Sequence, residues 1–293
     1  MTYNGSAWLP LGSVGFSAGA VSMTSLYIYN GTPFVAFDDV SSNGKATVMT
    51  YTGGVWTNVG SSGFSAGVAW TPSLYVYNAN PYLAYQDDGN GYKASVMTYN
   101  GTNWAYLGNS GFSAGEADWT SLCIYNGTPY VAFEDYGNGQ KATVMTYNGS
   151  AWVLVGSAGF SAGVAEYTSL FVYNGTPYVA YQDWANGKKS SVMMYNGSAW
   201  VSVGTFGFSA GAAFEPSLYI YNGTPYVGYS DNVNGANATV MMYNGSSWVN
   251  VGNAGFSVGA GIGFPSLYIY NGTPYLAYQD DSNSYEATVM VYK

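Results

Sequence analysis

The sequence predicts an all-β protein assembled from six copies of one four-stranded unit, and three observations carry that prediction. The word GFSAG begins at Gly15, Gly63, Gly111, Gly159, Gly207 and, as GFSVG, at Gly255, each copy 48 residues after the last. Within each copy, four short runs rich in Tyr, Val, Ile, Phe, Trp and Thr are separated by the Gly, Asn, Asp and Pro of turns. Both alternating residue sets of the inner runs are apolar, as in Leu122/Ile124 against Cys123/Tyr125, so each small sheet is covered on both faces. Four-stranded units of roughly 40–50 residues with two buried faces form a β-propeller, and six copies give six blades.

The elements follow in chain order, with strands lettered a to d from the central channel outward. The blades occupy about 15–60, 63–108, 111–156, 159–204 and 207–252, and the last runs over 255–292 plus 1–12, all in one domain spanning 1–293. Opening at MTYN and ending at MVYK places both termini at the same point of the repeat. Ala287–Tyr292 is therefore expected to supply strand c of the last blade and Ala7–Gly12 its strand d, closing the ring and hiding two sheet edges. Strand a (Ser25–Tyr29 in the first blade) is followed by Asn-Gly at Asn30, Asn126, Asn174, Asn222 and Asn271, a type I′ hairpin signal. A second Asn-Gly, at Asn4, Asn100, Asn148, Asn196 and Asn244, joins strands c and d. A tryptophan opens every strand d (Trp8, Trp56, Trp104, Trp152, Trp200, Trp248), and a column present in every blade reads as packing. The GFSAG phenylalanines are expected to plug the gaps between blades.

Composition narrows the function. Six lysines, no arginine and a net charge of −9 argue against nucleic acid. No apolar run is long enough for a membrane helix, so no membrane insertion is expected. Cys123, the single cysteine, replaces an aromatic residue of strand a and reads as a buried thiol. All fifteen acidic residues fall in or beside the d–a and b–c connections, which leave from one face of an up-and-down propeller. The opposite face is made of uncharged Asn-Gly turns.

An aspartate closes strand b in every blade: Asp39, Asp87, Asp135, Asp183, Asp231 and Asp280. One carboxylate per blade is a turn former that accepts backbone N–H groups, and a poor calcium cage, so neither metal nor cofactor is expected. The informative residues are those that do not repeat. Before strand a the blades differ, with Trp70, Asp118-Trp119, Glu166-Tyr167 and Phe214-Glu215, and Trp184 is singular in a b–c loop. Trp70, Trp119, Trp184, Asp118, Glu166, Tyr167 and Glu215 are the candidate ligand-binding residues, since aromatic plates beside carboxylates suit sugar rings. The competing reading has these aromatics capping the channel. Without histidine or arginine only carboxylate chemistry remains for an enzyme, with Asp118, Glu166 and Glu215 as the acids, so no catalytic residue is assigned.

The pattern S-L-x-x-x-N-G-T-P-Y-V-A-Y-x-D followed by K-A-T-V-M-x-Y-N-G-S-x-W resembles tandem propeller repeats of bacterial surface and secreted proteins along the whole chain. That resemblance implies a secreted or cell-surface binding or adhesion module and defines no ligand residues. YNGSAW is also similar to the Asp-box of sialidases, departing from it by placing Asn directly before Gly. The expectation is a monomeric, non-catalytic module for carbohydrate or another cell-surface ligand, with a protein-interaction scaffold as the alternative.

Overall fold

The computed structural model describes residues 1–259 and 261–293. Each repeat forms one antiparallel meander, and blade three is representative: Ala117–Tyr125, Thr128–Asp135, Lys141–Tyr147 and Trp152–Leu154 pair in that order. Blades one, two, four and five repeat it, giving the expected all-β, six-bladed propeller, with four antiparallel strands in each of the first five blades. Among the described residues no helix is long and apolar enough to cross a membrane.

Local chemistry explains the elements. At the a–b turns Asn126 has φ 47° and Gly127 φ 81°, the paired positive values of a type I′ turn. The c–d connections differ from expectation. Only the glycine is left-handed there, and Asn148 instead accepts hydrogen bonds through Oδ1 from Ser150 N (3.0 Å) and Ala151 N (2.9 Å), an Asx turn. The b–c loop aspartates cap short 3-10 turns. Asp39, Asp231 and Asp280 accept a backbone N–H as expected, whereas Asp87, Asp135 and Asp183 accept from Asn90, Asn138 and Asn186 side chains at 2.8 Å.

The core lies between blades rather than within them. Ala180, Val192 and Val203 of blade four pack with Leu218, Ile220 and Val227 of blade five, and the four other joints from blade one through blade six repeat the pattern. Hydrogen bonds lock the five joints from blade one through blade six. Trp152 Nε1 donates to Leu107 O of the preceding blade (2.7 Å), and Leu122 N donates to Ser73 Oγ (2.9 Å). The GFSAG phenylalanine spans the gap as anticipated: Phe112 N donates to Ala94 O of blade two (2.9 Å), while its ring stacks on Trp152 of blade three at 4.3 Å. Cys123 is buried within this core, which pushes its thiol up to about 11.

The sixth blade departs from the split-blade expectation. Its sheet has three strands, Ile262–Tyr270, Thr273–Asp280 and Glu286–Val291, and Trp8–Leu9 pairs instead with Thr2–Tyr3. The reason lies in the repeat itself. Met1-Thr2-Tyr3 duplicates the end of strand c, and the pair Tyr3↔Trp8 copies Tyr147↔Trp152 of blade three. The N-terminal strand thus carries its own competitor for the edge it was expected to fill. Leu26 and Ile28 on blade one and Tyr268 and Tyr270 on blade six are exposed, because strand a of blade six does not pack on strand a of blade one as the strands a of the other neighbouring blades do.

Candidate functional site

Strand a begins with a β-bulge in every blade. In blade three the pairing Asp118↔Glu134 is followed by Ser121↔Ala132, so Trp119 and Thr120 stand outside the ladder. The first residue of each bulge is left-handed although none is glycine: Met23 (φ 46°), Thr71 (46°), Trp119 (50°), Tyr167 (55°), Glu215 (52°) and Phe264 (49°). A side-chain-bearing residue in this region costs about 1–3 kcal/mol, and such strain concentrates at functional sites.

These six unlike residues, one from each blade, line a single cavity of about 310 Å³ at the channel end of the strands. Trp119 and Tyr167 lie with ring centroids 4.3 Å apart and planes tilted by 48°. Thr120 Oγ1 donates to Thr71 O and Thr168 Oγ1 to Trp119 O, both at 2.7 Å, tying neighbouring rims together. The Glu215 carboxylate accepts from Phe264 N, which fixes its position on the rim. Burial is the largest cause of its raised pKa; the Phe264 N–H opposes the rise and Asp281 adds to it.

Of the seven residues selected from sequence, the structure brings Trp119, Tyr167 and Glu215 into this cavity. Asp118 and Glu166 occupy the preceding bulge position, paired with Glu134 and Gln182 of strand b. Trp70, paired with Gln86, is part-exposed outside the lining. Trp184 stands apart. It opens the 3-10 turn of the blade-four b–c loop, half-exposed, with Lys188 Nζ 3.9 Å from its ring centroid.

Sequence reading passed over Met23, Thr71 and Phe264, although membership of the same non-repeating column was the available signal. It also passed over Glu134. This residue is 2% exposed and, among the described residues, makes no side-chain hydrogen bond. Burial, then repulsion from Asp118 and Glu166, pushes it up to about 8. Asp118 is also raised, by burial first, against the Trp119 N–H that its Oδ1 accepts at 2.8 Å; Glu166 and Glu116 add to the rise. Burial and the carboxylates of Glu166, Glu215, Asp118 and Glu134 raise Tyr167 in turn.

No protein-family model matches the sequence, and no curated protein does. Solved structures do. The chain is similar over 92% of its length to the lectin of Aleuria aurantia, a six-bladed β-propeller described with a fucose recognition mode, at 16% identity, TM-score 0.61 and 90% coverage of that chain. The same lectin, as a mutant in complex with Fucα1-6GlcNAc, matches at TM-score 0.60. Trypanosoma rangeli sialidase in complex with sialic acid matches over 93% of this chain and 54% of its own, at 12% identity and TM-score 0.61. An ulvan lyase matches at 12% identity and TM-score 0.58, covering 94% of this chain and 85% of that one. At these identities the likeness establishes the fold: a six-bladed β-propeller.

Proposed function

We propose that the chain is a non-catalytic carbohydrate-binding module of a secreted or cell-surface protein, holding its ligand at the channel mouth. The observation that carries the reading is the ring of six unlike left-handed residues, Met23, Thr71, Trp119, Tyr167, Glu215 and Phe264, around one cavity. A rim kept in six copies for packing alone has no need of six different side chains in a strained conformation. Trp119 and Tyr167 supply faces for the C–H side of a sugar ring, and the threonines and serines of the lining supply partners for hydroxyls. Carbohydrate-binding propellers among the similar structures support the class of ligand.

The non-catalytic part of the reading rests on the acids. Glycoside hydrolysis by the usual route needs two carboxyl groups flanking the scissile bond. The cavity is lined by one, Glu215, with Asp118, Glu134 and Glu166 set behind the rim. A glycan array probed with the wild-type chain and Trp119→Ala tests the reading. Glycan hits that vanish in the variant support it. An array without hits gives the scaffold reading instead, and hits indifferent to Trp119→Ala move the site, for instance to the depression of about 600 Å³ beside Tyr178 and Tyr195.

A further inference from the structure

We propose that the channel mouth engages its sugar through a protonated amine, making the ligand an amino sugar; this deepens the carbohydrate reading and rests on it. The cavity offers the faces of Trp119 and Tyr167 and one charged group, Glu215. Behind them Asp118 and Glu166 stand one residue before the bulges of blades three and four, paired with Glu134 and Gln182. No base neutralises these acids: the chain has no arginine, and among the described residues no lysine comes within 4.0 Å of a carboxylate. A cation placed over an aromatic face is attracted by the ring quadrupole, and surrounding carboxylates add to that attraction. A neutral sugar uses the rings and wastes the field, whereas a sialic or uronic acid is repelled by it.

Isothermal titration with tetramers of glucosamine and of N-acetylglucosamine separates the possibilities, because the two share ring and linkage and differ in charge. The measurement is made at low salt and below the pKa of the amine. The expected result is roughly tenfold tighter binding of the glucosamine tetramer, with an advantage that shrinks as salt rises. Glu215→Gln keeps an acceptor for Phe264 N–H while removing the charge, and most of the advantage is expected to go with it. Equal affinity, or a preference for the acetylated tetramer, overturns the amine and leaves sugar stacking standing. Binding of neither tetramer, where other glycans score on the array, also overturns the amine; an array without any hit removes both readings.

The open edge of blade six carries a second proposal, independent of any ligand. At five positions a strand-d tryptophan stacks on the GFSAG phenylalanine of its own blade, at 4.0–4.3 Å for Phe16–Trp56, Phe64–Trp104, Phe112–Trp152, Phe160–Trp200 and Phe208–Trp248. Phe256 alone has no tryptophan. Gly204 faces both Tyr243 and Trp248, whereas Gly252 faces Tyr292 only. Where the ring is missing, a cavity of about 430 Å³ opens between Val251, Phe256, Leu276, Met290 and Tyr292. We infer that Trp8 of the same chain is its occupant, Trp8–Leu9 leaving Thr2–Tyr3 to become strand d of blade six. The far side of that strand is already in place, since Trp56 Nε1 donates to Leu11 O at 2.7 Å as at every other joint.

The register of the other blades then sets Leu9 opposite Val291, as Val153 lies opposite Thr146. Opposed strand residues are close enough to be bridged. Oxidising a Leu9→Cys, Val291→Cys variant is expected to give a monomer with an internal disulfide, read by mass and non-reducing gel mobility; Cys123 is buried and out of reach. A disulfide-linked dimer assigns the slot to a second copy, and free thiols at both positions leave it unfilled; either result overturns closure within the chain.

Discussion

Removing one ring from a blade joint and the same ring from the N-terminal hairpin separates closed from open propeller on a single scale. Trp152 is 8% exposed, donates Nε1–H to Leu107 O at 2.7 Å and stacks on Phe112 at 4.3 Å. Trp152→Ala leaves a cavity of indole size and a carbonyl without its donor. Such truncations cost about 3–5 kcal/mol. At roughly 2.1 cal/mol/K per residue a chain this long loses about 1.5 °C per kcal/mol, so the melting temperature should fall by about 5–8 °C. Trp8 is 47% exposed in the hairpin with Thr2–Tyr3, where its loss costs no more than about 0.5 kcal/mol. In the slot beside Phe256 it carries the same contacts as Trp152. Differential scanning calorimetry of the two variants is expected to show similar falls. A Trp8→Ala protein melting with wild type refutes the slot, and a Trp152→Ala protein doing so refutes the joint energetics altogether.

Three further outcomes follow from the same geometry. Glu134 keeps in the folded chain a proton that the unfolded chain releases, so the stability it contributes is complete below about pH 4.5 and is lost as pH climbs towards 8. Glu134→Gln places there the residue of blade four, where Gln182 Nε2 donates to Ala213 O at 2.8 Å, and denaturant melts should show it roughly 2–4 kcal/mol more stable than wild type above about pH 8; an unchanged difference across that range contradicts the buried acid. Trp119→Ala and Tyr167→Ala should each weaken glycan binding by about thirtyfold with little change in melting temperature, whereas Trp184→Ala, outside the cavity, should leave affinity alone; calorimetric titration reads both. The strand-b aspartates are held by side chains and turns: burial works to raise Asp39, but Ser41, Thr47 and Ser42 hydroxyls and the Ser41 N–H outweigh it and hold the carboxyl below its ordinary value. EDTA should therefore leave the melting temperature unchanged, since a ligand at 100 times its dissociation constant adds about 2.7 kcal/mol and its removal is easily seen.

Much of the fold was legible because the repeat states it six times. Period, turn residues and two-sided apolar strands required a six-bladed propeller, and the Trp and Phe columns fell where packing needs them. Ring closure was not fully legible, because Thr2–Tyr3 imitates the end of strand c and competes for Trp8–Leu9. At the site, variability within a strict repeat singled out Trp119, Tyr167 and Glu215 but also Trp70 and Trp184, which the fold sends elsewhere. What separates them is the bulge, and nothing in Met, Thr, Trp, Tyr, Glu or Phe announces a left-handed backbone. Glu134 escaped notice because its neighbours Asp118 and Glu166 lie across a strand pair and a blade joint, distances that sequence spacing hides.

The proposed sugar site is made by the six bulge residues at the channel end of the strands. A crystal structure of the chain soaked with its strongest array glycan tests it most directly. The expected density is a sugar ring against Trp119 and Tyr167, with its polar groups within hydrogen-bond reach of Glu215. A glycan seated between the outer strands or on the Asn-Gly face, with the channel mouth empty, contradicts it.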